Sequence, residues 1–262
     1  MSIESLLKRD RRIVLASVAA LTLLAWIYLL HLAGNMKMAA PMPDMSKMPD
    51  VSPMLRSWTV TDFTLIFVMW AVMMVGMMTP SAAPMLLIYA RVARLAATNG
   101  KPLASTSWFA AGYLLSWTAF SLVASAAQGL LERFAWITPM MVAASNEIGG
   151  VVLIAAGIYQ FSSLKYSCLA HCQSPFAFVQ ARGGFKPGLW NALQLGFRHG
   201  IYCVGCCWAV MLLLFAVGVM NIFWIAAIAV FVLIERTIPA GRWIAGVSGA
   251  GLVVTGIWLF LH

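Results

Sequence analysis

The chain has 262 residues, 62% of them hydrophobic and only 10% charged, with a mean hydropathy of +0.89. A soluble domain of this length cannot hide that much apolar surface, so the composition excludes a water-soluble globular protein and makes the bilayer the solvent. The formal charge of +9 does not argue for nucleic acid, because the basic residues are scattered over segment ends rather than gathered on one patch.

In chain order, apolar runs long enough to span about 30 Å of hydrocarbon fall near residues 13–33, 62–82, 107–128, 139–162, 202–219, 222–238 and 243–261. The expectation is an all-α, polytopic integral membrane bundle of about seven transmembrane helices. Six is the alternative count, since only Met220-Asn221 divides the fifth run from the sixth and the fourth contains Glu147. Residues 1–12 read as a basic cytoplasmic N-terminus and 13–33 as an uncleaved anchor helix, too long for a signal-peptide core. With the N-terminus inside, 13 of the 17 Lys and Arg residues fall on the cytoplasmic side. Lys37, Lys47, Arg56 and Arg133 fall outside, an asymmetry that fixes the expected orientation. The expected location is the bacterial cytoplasmic (inner) membrane, multi-pass.

Residues 34–57 are expected to form an outer loop, since their prolines and charges forbid a stable helix. It carries Met36, Met38, Met42, Met45, Met48 and Met54. Residues 58–262 would form the metal-binding bundle, with an inner loop at 163–187. Residues 188–201 read as a short amphipathic helix lying at the inner interface and leading into Cys203. The last helix carries Gly246, Gly249, Ala250, Gly251 and Gly256, small residues that let helix backbones approach closely in lipid.

The five cysteines fall in two clusters, Cys168-x-x-x-Cys172 and Cys203-x-x-Cys206-Cys207. On the cytoplasmic side thiols stay reduced, and an odd number argues further against a disulfide framework. On a helix Cys203, Cys206 and Cys207 cover one arc, with Cβ atoms roughly 5–6 Å apart, so three sulfurs can converge on one ion. Cys168 and Cys172 can chelate either as an i, i+4 pair or from an irregular loop. His171 and His199 lie close enough in sequence to add imidazole. Lys165, Arg198 and the start of the fifth helix are placed to favour thiolates. A lone cysteine is ordinarily a small buried hydrophobe, but two clusters on one side of the membrane favour a soft metal.

Methionine thioethers select Cu(I) over Zn(II), which suits the outer set as a capture site; the plain alternative is a Met-rich linker. In the second helix Met69, Met73 and Met77 recur at i, i+4, i+8, with Met74 and Met78 beside them, running toward Thr79-Pro80-Ser81 and Pro84. Met73, Met77 and Met78 are candidate relay ligands, although such a stripe also serves as ordinary packing. Glu147 is a functional candidate, since a carboxylate is costly in mid-membrane, and Glu235-Arg236 reads as an anchor at the inner surface. There is no phosphate-binding glycine motif, no GxSxG and no HExxH, so the reading leans away from an enzyme.

Several of these residues form motifs that resemble a bacterial family of predicted metal-binding integral membrane proteins, a domain of unknown function. They are Met69-Trp70-x-x-Met73-Met74-x-x-Met77-Met78-Thr79-Pro80-Ser81, Tyr159-Gln160-x-x-x-x-Lys165-x-x-Cys168-Leu169-x-x-Cys172 and Cys203-Val204-Gly205-Cys206-Cys207-Trp208-x-x-Met211. Gly218-Val219-Met220-Asn221 and Glu235-Arg236 complete the set, and the likeness covers about residues 58–260. It implies metal binding and a copper-handling or copper-chaperone role, with no settled reaction. The leading expectation is therefore Cu(I) handling, with the lipid bilayer, the metal ion and a membrane cuproenzyme or copper chaperone as partners. The alternatives are a structural zinc site formed by Cys168, Cys172, Cys203 and Cys206, an accessory subunit of a membrane assembly, and a thiol-redox protein.

Overall fold

The computed structural model describes residues 3–38, 59–138, 143–181, 183–238 and 240–262, with side chains from residue 9 to residue 35 in the first of these segments. Those residues are helical apart from turns and one isolated bridge between Ile137 and Ala143. The helices are α1 (Ile3–Met38), α2 (Val60–Thr98), α3 (Thr106–Arg133), α4 (Asn146–Gln160), α5 (Ser163–Gln173), α6 (Pro175–Gln180), α7 (Leu189–Val217), α8 (Ile222–Thr237) and α9 (Gly241–Leu261). Five of them, α1, α2, α3, α7 and α9, are long and apolar enough to cross a membrane. A sixth span is added if α4 and α5, bent by 64° at their junction, count as one. The sixth run expected to span, α8, has 16 residues, a rise of about 24 Å.

Local chemistry sets the helix boundaries. Thr59 and Asp62 close a capping box on α2, with Asp62 N donating to Thr59 Oγ1 at 3.2 Å and Thr59 N to Asp62 Oδ2 at 3.0 Å. Ser145 caps α4 through Ile148 N, and Ser162 caps α5 through Lys165 N at 3.1 Å. The second cap explains the bend: Ser162 starts a new helix two residues after α4 ends.

Two sequence expectations change here. Residues 163–187 are not an open loop throughout, because α5 and α6 occupy much of the segment. Residues 188–201 are not a separate interfacial helix but the first half of α7, which runs unbroken through the second cysteine cluster. The reason is close packing on α3. A Cβ added at Gly112 would meet Leu193 O at 2.0 Å, and one at Gly196 would meet Phe109 O at 2.0 Å. Backbone contacts this near hold the N-terminal half of α7 inside the bundle. The glycines of α9 divide: Gly249 and Gly256 press on Gly157 and Gly150 of α4, whereas Gly246 and Gly251 face open space.

α1 and α2 form an antiparallel pair. It is pinned where α1 begins and α2 ends by Arg94, whose Nε and Nη2 donate to the two oxygens of Asp10 at 2.5 and 2.6 Å. Leu23, Leu24, Ile27, Val123, Val247 and Val254 are exposed on the outside of the bundle, as a lipid-facing surface requires. The core between α2, α3, α7 and α8 holds Trp70, Met73, Met74, Met77, Met78, Tyr113, Trp117 and the cysteines of α7.

Candidate metal centre

Cys203, Cys206 and Cys207 occupy one face of α7 and are 0–1% exposed. Their helical spacing brings the sulfurs together, as i, i+3 and i+4 must. The Sγ–H groups of Cys206 and Cys207 both donate to Cys203 O, at 3.2 and 3.1 Å. From α5, the thiol of Cys172 lies beside that of Cys206, so the first cluster joins the second through this residue. Cys168 lies at the same α5–α7 contact, its Sγ 2.8 Å from where a Cβ on Gly205 would stand. Glycine at 205 is what admits it.

A cation already sits at the focus of these sulfurs. The Arg236 guanidinium enters from α8, donating from Nη1 to Cys203 Sγ at 2.6 Å and from Nη2 to Cys206 Sγ and Cys207 Sγ, both at 3.2 Å. Nη2 also reaches Cys203 O at 2.8 Å, and Nη1 reaches Ser81 Oγ on α2 at 2.7 Å. Tyr113 on α3 lies 2.9 Å from Cys203 Sγ and 2.9 Å from Met78 O, to which its hydroxyl donates. Helices α2, α3, α5, α7 and α8 therefore meet at one sulfur-rich point.

Beside it lies a second buried charge system. Lys165 Nζ pairs with Glu235 Oε1 at 2.6 Å, both side chains wholly buried. Lys165 also donates to Gln160, which bonds Ser248 of α9. Gln173 donates to Glu235 O at 2.9 Å. At the C-terminal end of α8, Glu235 and Arg236 are both buried and tied to neighbouring helices. The expected help from a helix N-terminus fails: Cys203 lies 14 residues into α7, beyond the first turn where that field acts. Lys165 is engaged by Glu235, and it is Arg236 that supplies the positive charge at the sulfurs. The sequence read Arg236 as an anchor and one of the shared motif residues, not as a partner of the thiols, and it did not single out Tyr113; the structure sets both against Cys203.

Among the described residues, no three His, Cys, Asp or Glu side chains already stand in the arrangement of a metal site. The nitrogens of Arg236 lie against all three α7 sulfurs, and the donor set around them is soft.

Residues 67–259 match the profile of PpoB2, described as a copper chaperone. The chain belongs to this copper-chaperone family. No curated protein and no solved structure matches it. The family assignment brings copper to a chain whose thiols the fold has gathered, and the remaining candidates can be placed against that centre.

In this copper-chaperone chain Met73, Met77 and Met78 are buried at 0–2% exposure. They lie on the part of α2 that ends at the centre, with Met78 O held by Tyr113 and Ser81 held by Arg236. His199 is buried among Phe109, Tyr113 and Phe178, and its Nδ1 has no hydrogen-bond partner among the described residues. It precedes Cys203 by one helical turn. His171 turns to other partners: its ring stacks on Tyr202 at 4.5 Å and its Nδ1 lies 2.7 Å from Ser167 O. Glu147 lies at the start of a helix and not within one, because α4 begins at Asn146 and the residue is exposed in its first turn. There it suits the helix dipole. Met36 and Met38 belong to the last turn of α1, without described side chains, and Met42, Met45 and Met48 lie outside the described residues.

Proposed function

We propose that the chain handles Cu(I) within the bacterial cytoplasmic membrane, with its N-terminus inside and seven helices traversing or entering the bilayer. Copper is cargo in this reading. Cys203, Cys206 and Cys207 bind it, Cys172 and Cys168 flank it from α5, and His199 supplies a neighbouring nitrogen. The observation that carries the reading is the convergence of three α7 sulfurs on one cationic group, in a chain that matches a copper-chaperone family. A buried cluster of thiols has little use for a soluble substrate, but it withholds a reactive monovalent ion from water and oxygen. Met73, Met77 and Met78 lead along α2 toward the centre, and the methionines from Met36 to Met48 capture copper on the outer side. Delivery is then to a membrane cuproenzyme or a second chaperone.

The test is Cu(I) competition against a chromophoric chelator, using purified protein and the Cys206→Ser/Cys207→Ser double variant. Stoichiometric binding with a sulfur-dominated X-ray absorption edge is expected, and affinity should fall at least tenfold in the variant. Protein that carries no copper, or a variant with unchanged affinity, would sink the proposal. Stoichiometric zinc with no effect of Met73→Leu or Met77→Leu would instead favour a structural zinc site.

A further inference from the structure

We infer that Arg236 is a resident substitute for the cargo ion: its guanidinium holds the empty thiol cluster together, leaves the sulfurs when Cu(I) enters, and on returning drives the ion out. This rests on the Cu(I) reading above and adds a release device to it.

The geometry is that of a competitor. Nη2 is 3.2 Å from Cys206 Sγ, 3.2 Å from Cys207 Sγ and 2.8 Å from Cys203 O, and Nη1 is 2.6 Å from Cys203 Sγ. One planar group therefore addresses all three sulfurs of α7. A metal–thiolate bond is about 2.3 Å long. An ion bound to two of these sulfurs on the side facing α8 would lie within van der Waals overlap of Nη2. The two cations cannot share that side, so copper binding includes the work of moving a buried arginine off its partners.

The arginine is also built to come back. Nη1 is tethered to Ser81 on α2, between Pro80 and Pro84, two prolines inside the helix. The adjoining carboxylate, Glu235, pairs with Lys165 through Oε1 and makes no hydrogen bond to Arg236 among the described residues. Nε of Arg236 has no partner among the described residues, which leaves the head anchored by its two terminal nitrogens alone. A displaced guanidinium therefore loses most of its hydrogen bonds, and the site relaxes by expelling copper when a better-matched acceptor is present. A chaperone that must give up its ion needs such a counterweight, because thiolates alone hold Cu(I) tightly.

The sign of the effect is what distinguishes this role from simple support of the site. Arg236→Gln removes the competing charge, keeps a polar amide, and is expected to raise Cu(I) affinity at least tenfold. It should also slow transfer to a competing chelator by a similar factor. Arg236→Lys, which restores the charge but cannot reach three sulfurs at once, should fall between the two. Ser81→Ala loosens the tether without touching charge or ligands, and should raise affinity a few-fold. It serves as the second variant if Arg236→Gln does not fold.

Equal or weaker Cu(I) binding by Arg236→Gln and by Ser81→Ala, in monodisperse protein, overturns the inference and shows the guanidinium to be a supporting counter-ion. If the unaltered protein and both variants bind no Cu(I), it is the underlying copper reading that has failed.

Discussion

Lys165 and Glu235 are opposite charges with no exposure to solvent, and removing one leaves the other buried without a counter-ion. Lys165→Met should destabilise the protein by about 3–5 kcal/mol, whereas Lys165→Met with Glu235→Leu should recover most of the loss. Thermal unfolding in detergent, compared across the single and double variants, checks this. A pair formed only at the surface would give under about 1 kcal/mol in either case. Reactivity follows burial in the same way. Cys172 is half-buried, while Cys203, Cys206 and Cys207 are closed off. A bulky maleimide should therefore modify Cys172 first in folded protein and reach the α7 thiols only on denaturation, as peptide mass mapping would show. Residue by residue, the cysteines were legible in the sequence because thiol spacing on a helix translates directly into a shared face. Arg236 was not legible in this way. Its partners come from α2 and α7, all of them at least 29 residues earlier in the chain, and no local pattern encodes them.

At the scale of the helices, α7 is held in place by glycines. Gly112→Ala or Gly196→Ala puts a methyl group 2.0 Å from a backbone oxygen of the facing helix. Helices α3 and α7 would have to separate, at a cost of about 1–3 kcal/mol typical of overpacking. Because α7 carries three of the thiols, Cu(I) affinity should fall together with stability. Gly246→Ala and Gly251→Ala meet nothing within 4 Å. They should leave stability unchanged or raise it by up to about 1 kcal/mol, the propensity difference between the two residues in a helix. Chemical or thermal unfolding of the four variants separates the two sets by sign. The sequence pointed to Gly246, Gly249, Gly251 and Gly256 on α9, and two of these four, Gly249 and Gly256, do make close contacts. It was silent on the α3–α7 seam, where single glycines are spaced too widely to read as a motif.

For the molecule as a whole, the reading joins a methionine-lined helix to a thiol centre. From Met69 to Ser81 the chain of α2 advances about 18 Å before meeting Arg236. Met73→Leu with Met77→Leu conserves volume and should cost under about 1.5 kcal/mol, while removing soft donors. Copper loading from the outer face of proteoliposomes should then slow severalfold, with the affinity of the thiol centre for Cu(I) added from the inner side unchanged. Equal loading rates would reduce the stripe to packing.

Composition and the length of the apolar runs determined that the chain is helical and suited to a membrane, because lipid admits only helices and closed barrels and runs of about 20 apolar residues suit the helix. Spacing determined that three thiols share a helix face. Which groups meet those thiols was decided only in three dimensions. The cation at their centre, the tyrosine beside Cys203 and the buried Lys165–Glu235 pair arise from five helices packing at one point, and such long-range meetings depend on the shapes of whole helix faces rather than on any run of neighbouring residues. Likewise the exposure of Glu147 turned on where α4 begins, a boundary set by the Ser145 cap and not by hydropathy.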